Sequence, residues 1–348
     1  MNYRDLRIVF MGTPEFAVAS LDALVNAGCK IVGVITAPDK PAGRGLKLQE
    51  SAVKKYSIEK GLNVLQPDKL KNPTFLEELR ALNADLQVVV AFRMLPEVVW
   101  NMPSMGTINV HASLLPQYRG AAPINWAVIN GDKETGVTTF KLNHAIDTGD
   151  ILLQERIPID QNESAGEVRD RLKLLGAEVL VKTVKGLAEV TLMEKPQTYF
   201  VNSVTTDNTR QSTKGNQQTA IEDDESRNGD SDTMSSHSAL RHAPKIFTET
   251  CRIDWNKPVE VVHNLIRGLS PFPGAFTHLN GKLLKIYRSE KENNLPAIAP
   301  GEIETDGKHY LKFACKGGFI LCKELQIEGK KKMLVEDFLR GHKLSTSS

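Results

Sequence analysis

Residues 6–36 read LRIVFMGTPEFAVASLDALVNAGCKIVGVIT, and this stretch decides the fold. Leu6–Met11 is an unbroken apolar run. Gly12-Thr13-Pro14 interrupts it, Pro14–Ala27 spaces its apolar residues as a helix does, Gly28 closes that helix, and Ile31–Thr36 is apolar again. Proline in the first helical turn and glycine just past the last are the punctuation a helix needs, because each supplies a backbone conformation the position demands. A strand with one wet face alternates apolar and polar residues. A strand covered on both faces does not, so the spacing predicts a β-α-β unit of a parallel sheet with helices on both sides.

The pattern repeats outward. It predicts a helix near Ser51–Lys60, a short strand at Asn63–Leu65, a helix near Pro73–Leu82, and strands at Leu86–Phe92 and Thr107–His111. Pro123–Asn130 reads as a helix ended by Gly131, and Val137–Leu142 and Ile151–Ile157 as strands around a loop. Ser164 and Glu167 have capping-box spacing at the start of a long helix that ends near Val190. Thr205–Leu240 is then dominated by Ser, Thr, Asn, Asp, Gln and Gly, a composition that cannot bury enough apolar surface to offset ordering. Beyond it lie a helix from Pro258 to Leu269, a hairpin of Ala275–Leu279 and Lys282–Arg288 around Asn280-Gly281, and strands at Tyr310–Cys315 and Phe319–Glu324. The expectation is a Rossmann-like α/β domain over 1–195 with a mostly parallel sheet, a polar linker over 196–242, and a small OB-like β-barrel domain over 243–345.

The chain has 348 residues and a formal net charge of +2, but that charge is unevenly spread. Residues 241–348 hold 18 Lys and Arg against 12 Asp and Glu, whereas 205–240 hold 3 against 7. Only the C-terminal domain is basic, which suits a polyanionic partner such as RNA, although Lys330-Lys331-Lys332 also fits a solvated turn. The four cysteines form no C-x-x-C pair and suggest neither a zinc site nor a disulfide framework. No run reaches membrane-spanning length, and the first strand begins too early for a targeting peptide, so a cytoplasmic protein without a membrane partner is expected.

Asn109 and His111 stand two apart at the end of a strand and so project from one face, at the carboxyl edge where open parallel sheets bind ligands. A neutral donor beside a titratable ring suits acyl-type transfer, where one group steadies an oxyanion and the other manages a proton. Asp147-Thr148-Gly149 supplies a carboxylate, and Gly149 permits a turn that returns it over the strand end, favouring the imidazolium form of His111.

Asn109-Val110-His111-Ala112-Ser113-Leu114-Leu115-Pro116 together with Asp147-Thr148-Gly149 resembles the signature of the folate-dependent formyltransferases. Phe10–Ala17, Pro38–Gly45, Leu65-Gln66-Pro67, Tyr118–Ile124, Ala243–Ile246, Ile253-Asp254-Trp255 and Ile266-Arg267-Gly268 are similar to that family's methionyl-tRNA branch. The polar linker is longer than the family's usual connection. The resemblance implies the formyltransferase fold, 10-formyltetrahydrofolate as co-substrate without a metal, and methionyl initiator tRNA as acceptor. It also implies catalytic roles for Asn109, His111 and Asp147. A folate pocket would be lined by Val90, Phe92, Met94, Leu95, Ser113, Leu114, Leu115, Pro116, Ile146, Thr148 and Gly149, although Phe92, Met94 and Leu95 fit plain core equally well. Gly12 and Thr13 at a helix start, and Lys40, Arg44 and Lys47 in a loop that is mobile when free, would meet the tRNA. A monomer is expected. Two competing readings are another formyltransferase or formyltetrahydrofolate hydrolase acting on a small amine, and a non-catalytic nucleotide- or RNA-binding protein. The first turn lacks G-x-G-x-x-G, which argues against dinucleotide binding.

Overall fold

The computed structural model describes residues 1–42, 47–200, 240–342 and 344. The first sheet grows outward from β1 (Arg7–Gly12), which pairs in parallel with β2 (Lys30–Ile35) and β6 (Leu86–Val90). β5 (Val64–Leu65) and β7 (Thr107–His111) extend it in parallel on either side. β9 (Glu134–Lys141) and β10 (Ile151–Pro158) complete it antiparallel, giving the order β10-β9-β7-β6-β1-β2-β5. Successive residues of β1 explain the unbroken apolar run. Ile8 and Phe10 join a core under α1 (Glu15–Asn26) and α6 (Ala165–Glu189), while Val9 and Met11 join a second core with Phe75 and Leu79 of α3 (Pro73–Ala81). The α6 capping box forms as expected: Ser164 Oγ accepts the Glu167 N–H at 3.3 Å, and the Ser164 N–H donates to Glu167 Oε2 at 2.8 Å.

The C-terminal domain is an antiparallel sheet in the order β12 (Ala275–Leu279), β13 (Lys282–Glu292), β16 (Gly318–Ile327), β15 (Leu311–Cys315), β14 (Ile303–Thr305), with β17 (Met333–Leu334) paired to β16. The sheet curls around Ile266, Phe313 and Phe338 as a half-barrel, and Trp255 stacks on Phe313 at 4.5 Å. Asn280 and Gly281 take φ of 49° and 73°, the left-handed pair that a two-residue hairpin requires. β13 and β16 run past their expected ends at Arg288 and Glu324 because they go on pairing with each other. The helix Val259–Gly268 packs against α5 (Pro123–Ile129), and Asn125 Nδ2 donates to the Gly268 carbonyl at 2.7 Å. Gly166 N–H donates to the Ser270 carbonyl at 3.0 Å, a second tie between the domains.

Three expectations are corrected. The strand expected over Leu86–Phe92 stops at Val90, because Ala91 takes φ of 47° and turns the chain. Lys40–Ala42 (β3) and Lys47–Gln49 (β4) are paired antiparallel arms rather than a loop. Residues 196–200 and 240–242, expected within the linker, contribute to the fold. Gln197 is buried, and β11 (His242–Ala243) pairs in parallel with β8 (Arg119–Gly120). The rest of the expected linker, 201–239, lies outside the described residues.

Candidate active site

β7 carries Asn109 and His111 on one face, while Val110 between them lies against α6 near Gly176. Asn109 pairs with Val89 on one side and Phe140 on the other, so the pair sits inside the sheet with strands on both sides. The Phe140 ring stands edge-on to the His111 imidazole at 6.4 Å. The Asn109 carboxamide is only partly buried and has no hydrogen-bond partner among the described residues, so its donor remains available to a ligand.

His111 is nearly buried, and the two nitrogens of its ring do different work. Nε2 lies 2.9 Å from the Tyr118 carbonyl, which only accepts, so Nε2 carries a proton. Nδ1 is thereby turned toward Asp147, whose Oδ2 lies 3.9 Å away. That same oxygen accepts the Gly120 N–H at 3.0 Å. Ala91, Tyr118 and Asp147 hold φ of 47°, 61° and 52°, a left-handed conformation costly for residues with a Cβ. Such strain persists where the surroundings enforce it, and functional sites are where it collects. The sequence attributed the return of the Asp147 loop to freedom at Gly149, but Asp147 itself makes the left-handed turn. Gly149 serves a close approach instead: a Cβ there would lie 1.6 Å from the Lys141 carbonyl oxygen.

Residues distant in sequence brace the pair. Gln197 Nε2 donates to the carbonyls of Asp147 at 2.8 Å and Gly149 at 2.9 Å, while its Oε1 accepts from Arg119 Nε at 3.0 Å. Arg119 is half-buried; desolvation lowers its pKa, and Asp147 pulls the other way. The Tyr118 N–H donates to the Arg241 carbonyl at 2.7 Å, and its hydroxyl donates to Asp132 Oδ2 at 2.6 Å. Burial pushes that phenol up, with Asp132 adding to the shift. Gly120 lies so close to β11 that a Cβ would meet the Ala243 carbonyl oxygen at 2.5 Å. Sequence reasoning assigned no site role to Tyr118, Arg119, Gly120, Gln197 or Arg241. Tyr118–Gly120 lay within a family motif, but nothing local marks Gln197 or Arg241.

The expected folate-lining residues divide. Val90 belongs to the core under α1, Leu95 to the core beside α3 with half-buried Phe92 packed on it, and Leu115 to a small cluster with Phe140 and Ile151. Ser113 is buried with its hydroxyl on the Gln117 carbonyl at 2.7 Å, Pro116 follows a cis peptide, and Leu114 is half-buried near Gly136. Met94 and Ile146 are 72% and 60% exposed, so neither is core. Thr148 Oγ1 donates to Asn143 Oδ1 at 2.9 Å, tying the Asp147 turn to its own start.

Of the residues expected to meet tRNA, Gly12 is buried, and a Cβ there would lie 2.7 Å from Ala17 Cβ and 3.1 Å from the Val90 carbonyl. Close packing therefore accounts for this glycine. Thr13 is half-buried, and its carbonyl accepts the Val53 N–H at 3.4 Å. Lys40 is exposed on β3, Lys47 lies on β4, and Arg44 lies outside the described residues. Among the described residues no helix is long and apolar enough to cross a membrane.

A family model described as "Formyl transferase" matches residues 6–184, and one described as "Formyl transferase, C-terminal domain" matches 245–343. A methionyl-tRNA formyltransferase of Parabacteroides distasonis is 52% identical over 352 aligned residues, spanning 99% of this chain and 98% of that protein. The protein of the same name from Bacteroides fragilis is 49% identical over 99% of this chain and 98% of its own length. Among solved structures, an N-formyltransferase from Helicobacter canadensis in complex with folinic acid and dTDP-3-aminofucose superposes with a TM-score of 0.61. It is 19% identical, covering 91% of this chain and 98% of that one, a likeness of fold.

Proposed function

The chain belongs to the formyl transferase family, and from that premise we propose that it formylates the α-amino group of methionyl initiator tRNA with 10-formyltetrahydrofolate as donor. The observation that carries this reading is identity of about half the residues with methionyl-tRNA formyltransferases over both domains. It acts as a monomer in the bacterial cytoplasm.

Asn109, His111 and Asp147 do the chemistry. The amine nitrogen adds to the formyl carbon, forming the new C–N bond and leaving a negative oxygen on a tetrahedral carbon. Asn109 donates its amide N–H to that oxygen, and protonated His111 donates through Nδ1, since Nε2–H is already committed to the Tyr118 carbonyl. Asp147 stabilises the imidazolium and takes the amine proton, directly or through water. The intermediate then collapses with cleavage of the bond to N10, which leaves as tetrahydrofolate and acquires that proton. The unpartnered Asn109 carboxamide supports its role, because a donor aimed at a reacting atom must not be spent on the protein. The Ser113–Pro116 loop and the Ile146–Gly149 turn frame the pterin, with Met94 and Ile146 at the mouth. Lys40, Arg44 and Lys47 meet the acceptor end, and the basic C-terminal domain grips tRNA phosphates.

The test is direct. Incubation with 10-formyltetrahydrofolate should give formyl-methionyl product on initiator tRNA and far less on elongator methionyl-tRNA. Hydrolysis of the donor without transfer to either RNA would overturn the assignment.

A further inference from the structure

Between the two domains opens a crevice of ≈ 120 Å³, lined by Ser164 from the catalytic domain and by His263, Arg267, Arg288, Ser289 and Lys323 from the C-terminal one. A water needs about 10–15 Å³ of such space, so the crevice has room for a small polyatomic group. Two of its side chains are buried with unmet hydrogen-bonding capacity.

Arg267 is 6% exposed and carries its charge with no carboxylate in contact. Nε donates to Asn264 Oδ1 at 2.8 Å, and Nη1 donates to the carbonyls of Asp160 at 3.3 Å and Glu163 at 3.0 Å. Among the described residues Arg267 forms no ion pair, and Nη2 makes no hydrogen bond. Desolvation lowers the Arg267 pKa and the charges of Glu260 and Glu163 act against that, but neither carboxylate is in contact, whereas a buried charge is normally paired directly. His263 is 1% exposed, with Nδ1 on Ser289 Oγ at 3.0 Å and Nε2 buried without a hydrogen-bond partner. Burial, helped by Lys291 and Arg267, holds this ring uncharged at neutral pH. The Gln161 backbone and Glu260 pull the other way, but no hydrogen bond of normal geometry reaches Nε2. With the serine hydroxyl donating to Nδ1, the ring N–H sits on Nε2, beside the Gln161 backbone but without a hydrogen bond of normal geometry. Arg288 and Lys323 complete a positive wall, each shared with one acid, Glu167 at 2.6 Å and Glu290 at 2.9 Å.

We propose that this interdomain crevice binds a phosphate group, held by the Arg267 guanidinium and His263 Nε2–H, with Lys323 closing over it. Guanidinium and N–H donors converging in a partly dehydrated space are the complement of an oxyanion. The same chemistry is presented by free phosphate and by an RNA backbone, and neither source depends on formyl transfer.

The full-length protein, labelled with ¹⁵N-histidine, is titrated with inorganic phosphate at neutral pH and constant ionic strength. The His263 Nε2 resonance should shift saturably. Calorimetry should show phosphate binding weakened about tenfold or more in Lys323→Ala and in His263→Phe. Absence of a saturable shift, or equal affinity in both variants, would overturn the proposal and leave the ring to water. Acceptor-stem RNA is then added to the phosphate-loaded protein. Release of phosphate assigns the site to an RNA phosphate, and retention assigns it to the free ion.

Discussion

His263 should make the protein sensitive to mild acid, by an amount that can be worked out. In the unfolded chain a histidine titrates near 6.5; in the fold, burial together with Lys291 and Arg267 brings His263 to about 4. Between those values the unfolded state binds a proton that the folded state excludes, so stability rises with pH across that window. The contribution is fully present above the ordinary value and is lost as pH falls to the folded one. At about 1.4 kcal/mol per pH unit, the whole window is worth about 3 kcal/mol, with about 1 kcal/mol lost by roughly pH 5.5. A loss of 3 kcal/mol is a large fraction of a typical domain's stability. Urea unfolding of the native sequence and of His263→Phe, followed by tryptophan fluorescence at neutral pH, about 5.5 and about 4.5, isolates the effect. Carboxylates common to both proteins cancel in the difference. The native protein should lose stability with acid more steeply than the variant, whatever their absolute values. Parallel slopes would refute the reasoning.

Three further outcomes concern catalysis and the contact with tRNA. Asn109→Ala and His111→Ala should each lower kcat by about a hundred- to a thousandfold, the cost of one oxyanion donor. Asn109→Ala should barely move the unfolding midpoint, because the carboxamide bonds nothing among the described residues; near-native turnover in either variant would remove both residues from the mechanism. Gly149→Ala forces a methyl to within 1.6 Å of the Lys141 carbonyl oxygen, so the Asp147 turn must shift. Destabilisation of about 1–3 kcal/mol by thermal unfolding, with reduced kcat, is expected, and a variant native in both respects would contradict it. Arg44→Glu should raise the KM for tRNA and flatten its salt dependence by about one or two phosphate contacts, while folate kinetics stay unchanged; unaltered tRNA kinetics would sink the role assigned to that residue.

What could be read in advance was what local spacing encodes. The apolar run Leu6–Met11, the Pro14 and Gly28 punctuation, the Ser164–Glu167 cap and the Asn280-Gly281 turn all act within a few residues, and each appears where expected. The i, i+2 placement of Asn109 and His111 is likewise a property of any strand. The bracing of that pair is not local. Gln197 reaches back 50 residues to the Asp147 carbonyl, and Arg241 meets Tyr118 across more than 100. The linker limits of 196 and 242, drawn around the polar stretch Thr205–Leu240, are too wide at both ends, because composition says nothing about one glutamine near its edge that satisfies two carbonyls. Phe92, Met94 and Leu95 show the same limit. Their apolar character could not divide pocket from core, whereas packing against the α3 side separates Leu95 and Phe92 from exposed Met94.

Gln197 and Arg241 flank residues 201–239 in the chain, yet they hold the neighbouring residues Arg119 and Tyr118. Whatever joins them therefore starts and finishes beside the same imidazole. The two ends are a natural place to divide the enzyme. A fragment ending at 200 and one beginning at 240 would each carry part of the brace behind His111, so turnover would register their reunion.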